Sequence, residues 1–347
     1  MVLDAIDAGD VATANALTGQ LLGQLPNHPD VLQLAAHVLD RTGNVRQAQE
    51  LRRKAIANSA AQRAAMFRAM GADSEARAFY VEALKVDTYN ALACDALGEM
   101  NRLPTPSDAE CSQFNRPPLN LFKTDIGTYY LPSDAPNDII IRRMKAGQVF
   151  EAEIVETIRP YIHTGTTVID VGSNLGQMAM IFSGLVGADG NVYAIEADPF
   201  IYHVFRMNLK ANGCSNVTAL NYAAYDHGDD TVLYPEQDFK ALGSYGSYGV
   251  DPTATEGRPI RTMMIDSLTI EQRVSAIKVD IQGCDLIALR GAKATIERHK
   301  PAIIFEFEQD FQPKFGTSLD DYMAFVGDIG YRVEKIVNGI NYLILSN

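Results

Sequence analysis

The residues able to do chemistry in this sequence are carboxylates placed at the ends of apolar runs. Asp170 sits within Thr167-Val168-Ile169-Asp170-Val171, which reads as a short buried strand, and Gly172-Ser173-Asn174-Leu175-Gly176 follows it. Gly172 opens a tight turn there, and Gly176 lets a helix start close to the sheet. Such a corner presents backbone N–H groups and one carboxylate to a small ligand. The spacing is Asp-x-Gly-x-x-x-Gly, not Gly-x-Gly-x-x-Gly. A single glycine in the turn gives little reason for a pyrophosphate to lie against the backbone. The ligand this favours is a nucleoside without phosphates, S-adenosylmethionine (SAM); the alternative is an ordinary strand-to-helix turn.

Further acids follow at telling positions. Glu196 ends a second strand, Asn191–Glu196, 20 residues beyond Gly176, where it can accept both ribose hydroxyls. Asp198 and Pro199 then start a helix to about Asn212, with Asp198 as its cap. After a third strand, Asn216–Tyr222, the small Ala224 would admit an adenine ring. Asp226 either takes the adenine amino group or is a solvent-facing acid. Asp280 closes a fourth strand, Ala276–Asp280, beside the first. It either orients and deprotonates an acceptor hydroxyl, or caps the next helix or holds the cofactor. Glu306, near the end of the strand Pro301–Phe307, is the second catalytic candidate. Glu151 and Glu153 are read as stabilising a helix start, and His203 as packing or surface.

Composition narrows the partners. The formal charge is −13, from 30 Lys+Arg against 43 Asp+Glu, which disfavours a phosphate backbone and hence a nucleic-acid substrate. The four cysteines form no C-x-x-C pair and have no histidine cluster beside them. Neither structural zinc nor a disulfide framework is expected, and no metal is assigned to the site. That fits a reducing cytoplasm. No signal peptide is visible, and no apolar run approaches the roughly 18 residues of a membrane span.

The elements that would position these residues divide the chain at about 104–118, a linker bounded by Pro104 and Pro118. Residues 1–103 read as helices with an internal period: Gly9 to Gly43 is 34 residues, and Ala14 and Ala48 keep that offset. A looser third unit includes Gly71, Ala76, Tyr80 and Ala83, with 28 residues from Gly43 to Gly71. These residues resemble tetratricopeptide repeats, which implies stacked helical hairpins and a groove or face for protein contact. Residues 119–165 read as a lead-in of two strands, Leu121–Leu131 and Ile139–Arg142, then a helix from about Val149 to Ile162. Residues 166–347 form a Rossmann-like α/β core ending in a hairpin around Asn338-Gly339. The long loop Tyr234–Pro259 carries Gly243-Ser244-Tyr245-Gly246-Ser247-Tyr248-Gly249, which suits a polar, hydroxylated acceptor.

Residues 120–347 resemble the FkbM-type family of SAM-dependent methyltransferases. The likeness rests on Val168–Gly176, on Met264-Ile265-Asp266-Ser267-Leu268, and on the run from Lys278-Val279-Asp280-Ile281-Gln282-Gly283 to Ala292. It implies a class I sheet of seven strands with one antiparallel, SAM as donor, and O-methylation of a hydroxyl on a sugar, glycan or natural product. The family's usual glutamate after Asp280-Ile281 is here Gln282, which cannot act as a base.

Overall fold

A computed structural model describes residues 1–105, 114, 118–135, 137–235, 244–246 and 248–347. Two units emerge: Met1–Arg102 with Lys145–Gly147, and Leu103–Met144 with Gln148–Asn347.

Small residues at helix crossings shape the first unit. It contains α1 (Val2–Asp7), α2 (Val11–Gln24), α3 (Pro29–Arg41), α4 (Val45–Ala69), α5 (Asp73–Val86) and α6 (Ala91–Asn101). Ala14, Ala48, Ala57, Ala64, Ala76, Ala83 and Ala93 are fully buried, so backbones approach closely there. Gly9, Gly43 and Gly71 all have positive φ and follow α1, α3 and α4 as left-handed C-terminal caps. The 28-residue interval to Gly71 is the length of one helix: no glycine or proline interrupts α4, which runs unbroken for 25 residues. The unit is all-helical, and the 34-residue glycine spacing occurs only between Gly9 and Gly43. Among the described residues, no helix is long and apolar enough to cross a membrane.

A two-residue strand, β1 (Arg102–Leu103), comes next in the chain. Most of the expected linker, residues 106–113 and 115–117, lies outside the described residues. The lead-in is a hairpin of β2 (Leu119–Thr124) and β3 (Gly127–Pro132), followed by α7 (Ile139–Lys145) and α8 (Ala152–Ile158). Ile139–Arg142 is therefore helical, not the expected strand. Its isoleucines favour strands, but the buried Asp138 carboxylate accepts the N–H groups of Ile140 and Ile141 at 2.8 and 3.0 Å and caps a helix instead. The helix expected over Val149–Ile162 is also shorter, passing into a 3-10 turn at Arg159–Tyr161.

The core alternates strands and helices. Its elements are β4 (Thr167–Val171), α9 (Gln177–Val186), β5 (Asn191–Ile195), α10 (Pro199–Ala211), β6 (Val217–Leu220), β7 (Ala223–Ala224), β8 (Thr231–Tyr234), β9 (Arg258–Met263) and β10 (Val274–Val279). Then come α11 (Asp285–Arg290), α12 (Lys293–His299), β11 (Ala302–Glu306), α13 (Gln312–Phe315), α14 (Leu319–Asp328), β12 (Tyr331–Val337) and β13 (Asn341–Ser346). The main sheet has the order β12-β13-β11-β10-β4-β5-β6, and β13 alone runs antiparallel to the rest. This is the seven-stranded, Rossmann-like sheet with one antiparallel strand that the resemblance implies. Strands β4, β10 and β11 are buried along their whole length, as central parallel strands between two helical layers must be. The strand order reverses between β4 and β10, so the crevice at their carboxyl ends is where a ligand belongs. Besides the main sheet and the three-stranded β1-β2-β3, a small sheet β7-β9-β8 forms, in which β8 and β9 border the long loop.

Candidate active site

The end of β4 and the end of β10 touch through backbone. Gly172 has φ +79°, and a Cβ there would lie 1.9 Å from the Asp280 carbonyl oxygen, so both conformation and space require glycine. The turn is fixed to β5: the N–H groups of Gly172 and Ser173 both donate to the Ile195 carbonyl, at 3.0 and 3.1 Å. Asn174 N donates to Glu196 Oε2 at 2.8 Å, and Asp198 N donates to Oε1 at 2.9 Å. Glu196 is thus immobilised by one backbone donor on each oxygen, and each oxygen keeps a further lone pair. Burial pushes its pKa up to about 7 against those two donors.

A buried lysine joins the two strand ends. Register places Lys278 beside Asp170. Its Nζ lies 3.7 Å from Asp170 Oδ1 and 3.2 Å from Asp280 Oδ2, and it donates to the Gly172 carbonyl at 3.3 Å. Burial opposes the charge on Lys278, but Asp280, Asp170 and Glu151 more than offset it and hold its pKa above the usual lysine range. Burial raises the pKa of Asp170, with Lys278 opposing.

Of the residues singled out from the sequence, Gly172, Ser173, Asn174, Glu196, Ala224, Asp280 and Glu306 line one cavity of about 280 Å³, the scale of a small-molecule cleft. Asp170 lies beneath it on β4, and Gly176 packs on Phe205 at the start of α9. Asp226 requires correction as an adenine ligand: it is exposed, outside the cavity, with Oδ1 at 2.8 Å from His227 Nδ1. After Ala224 the chain is drawn away, since Tyr225 N donates to the Met263 carbonyl of β9. Asp198 caps α10 through Phe200 N and Ile201 N, as expected. His203 packs beside the Phe114 ring, centroids 5.6 Å apart. Asp280 pairs with Lys278, whereas Asp285 Oδ2 accepts the Gly283 N–H ahead of α11.

Tyr245 and Tyr248 of the tyrosine-rich loop line the cavity, and so do Glu151, Glu308 and Tyr234, to which the sequence assigned no ligand. Gln282 donates through Nε2 to Glu306 Oε2 at 3.0 Å, and burial, then Asp280 and Asp285, push the Glu306 pKa well up. Tyr245 is held by its N–H on Asp138 Oδ2 at 2.6 Å, and its hydroxyl meets Asp134. Gly243 and Ser247 of the tyrosine-rich loop lie outside the described residues, as do 236–242.

Residues 170–333 match the Methyltransferase FkbM domain family. The chain is 33% identical over 84 residues to a protein-L-isoaspartate O-methyltransferase of Methanococcoides burtonii, spanning 22% of this chain and 41% of that one. It is 37% identical over 105 residues to the enzyme of that name from Ignicoccus hospitalis, spanning 30% of this chain and 43% of that one. The match thus spans about two fifths of each of these relatives. Among solved structures, a methyltransferase FkbM from Methylobacillus flagellatus aligns over 61% of this chain and 55% of its own, at 18% identity and a TM-score of 0.34. The residues of the corner fit SAM: a glycine with no room for a side chain, a two-oxygen acceptor at Glu196, and a cavity joining them. Residues 170–333 therefore carry an FkbM-type, SAM-dependent methyltransferase domain.

Proposed function

We propose that the protein transfers the methyl group of SAM to a hydroxyl of a sugar, glycan or natural product. One observation carries this: Asp280 and Glu306, from the adjacent strands β10 and β11, open into the same cavity as the donor corner. SAM supplies an electrophilic methyl group on its sulfonium. The acceptor oxygen forms a bond to that carbon as the sulfur–carbon bond breaks, and the hydroxyl proton must leave. Positioning accounts for much of such a rate, and a base adds roughly 10²–10⁴-fold.

Asp280 is the base in this reading. Glu306 plays a different part. Its raised pKa keeps it protonated, with Gln282 donating to Oε2 and Glu308 hydrogen-bonded to the same carboxyl, so it orients the acceptor rather than taking its proton. A neutral amide at 282 suits that pairing, since a second carboxylate there would compete for the same proton.

Protein methylation is the second reading, favoured by the two relatives named as protein-L-isoaspartate O-methyltransferases. Here the helical unit would hold the substrate protein. Incubation with methyl-labelled SAM and a panel of sugars, glycans and hydroxylated small molecules tests the first reading: label is expected in the small-molecule fraction. Label found by mass spectrometry on protein alone would replace it with the second.

A further inference from the structure

Glu151 has no function in the account so far, yet it faces the donor corner. Its backbone is left-handed, φ 52° and ψ 45°, a strained conformation for any residue that carries a Cβ. The segment before it is clamped: Phe150 N donates to Gln177 Oε1 at 2.8 Å, and Gln177 Nε2 donates to the Gln148 carbonyl at 3.0 Å. Gln177 directly follows Gly176, so the clamp fastens Glu151 to the turn that forms the corner. The side chain lines the same cavity as Gly172, Asn174 and Asp280.

The charges facing Glu151 are Asp280 and Lys278 from the end of β10, Glu308 beyond β11, and Glu153 nearby in sequence. Lys278, the cation among them, is already shared by Asp170, Asp280 and the Gly172 carbonyl. This end of the cavity is therefore short of positive charge. Burial, then Asp280, raises the pKa of Glu151, with Lys278 opposing. SAM brings a cation suited to such a place, the α-ammonium of its amino-acid arm. With the ribose on Glu196, that arm would reach the part of the cavity that Gly172 and Glu151 line.

We propose that Glu151 binds the donor's α-ammonium and closes the amino-acid end of the SAM site. The assignment rests on the SAM reading and adds a donor-binding residue to it. Calorimetry with SAM, S-adenosylhomocysteine and 5′-methylthioadenosine tests it, because the last has the nucleoside and sulfur but no amino-acid arm. Glu151→Gln is expected to weaken SAM and S-adenosylhomocysteine alike, by about 10–100-fold, the worth of one charge-assisted hydrogen bond. Methylthioadenosine should change by no more than about twofold.

Glu151→Gly removes the left-handed strain, so its unfolding temperature should not fall while its SAM affinity drops as in Glu151→Gln. Unchanged SAM affinity in Glu151→Gln overturns the assignment. So does a parallel loss for methylthioadenosine, or a loss confined to SAM, which would place the carboxylate at the sulfonium. Wild-type protein that binds none of the three would bring down the SAM reading itself, and this assignment with it.

Discussion

Lys278→Met is expected to destabilise the methyltransferase unit by about 3–5 kcal/mol, because it leaves a buried carboxylate without its cation. Asp170 is fully buried on β4 and Lys278 is 3% exposed on β10, so water cannot replace the lost charge. The effect should depend on pH. Without Lys278 the folded pKa of Asp170 rises further above its unfolded value of about 3.9. The folded state then binds the extra proton, so stability falls as pH rises above the unfolded value. Urea unfolding followed by tyrosine circular dichroism should therefore show a larger loss at pH 8 than at pH 5. Of 15 tyrosines only Tyr80 and Tyr89 lie in the helical unit, so this signal reports mainly on the other. Adding Asp170→Asn removes the orphaned charge and should restore much of the loss. A deficit equal at both pH values, and untouched by Asp170→Asn, would mean that Lys278 acts through packing alone.

Asp280→Asn is expected to lower kcat by roughly 10²–10⁴-fold, the usual worth of a general base. The asparagine keeps the shape of the side chain, so the SAM dissociation constant should stay within about threefold. Glu306→Gln is the informative contrast. A protonated carboxyl and an amide both donate a hydrogen bond, so this change should cost only about tenfold in kcat. If both variants lose activity equally, the roles assigned to the two acids are wrong. If Asp280→Asn loses SAM affinity as steeply as kcat, Asp280 holds the donor and the base lies elsewhere.

What could be read in the sequence was what depends on local pattern. Thr167–Val171 and Ala302–Glu306 are uniformly apolar around single acids because both faces of a central strand are covered, and they stood out as strands for that reason. Asp198 before Pro199 announced its cap, and the glycine spacing after Asp170 announced a corner. The losses came where distant chain decides. Asp170 and Lys278 are 108 residues apart, and only the register of β4 on β10 brings them together. Asp226 read as an adenine ligand because nothing in Ala223–Asp226 reveals that β9 takes up the chain. Ile139–Arg142 read as a strand because its propensity points that way, and the local cap offered by Asp138 outweighs that propensity. Glu151 read as an ordinary helix-start acid, since residue types do not disclose a left-handed φ.

The carboxylate of Asp138 joins two parts of the cavity wall that are far apart in sequence. One oxygen takes the N–H groups that begin α7, and the other takes that of Tyr245. Ile140 of α7 and Tyr245 both line the cavity. Loosening either side costs a fully buried acid part of its hydrogen bonding: freeing Tyr245 removes one backbone donor, and freeing α7 removes two. Opening of the wall should therefore be one cooperative event, slower than the nanosecond motion of an untethered loop. Amide hydrogen exchange would register this as equal opening free energies for Tyr245 and Ile141, in the regime where reclosing outruns exchange. Unequal values would mean that the two sides breathe separately. On this account the traffic of ligands past this wall is timed by one aspartate.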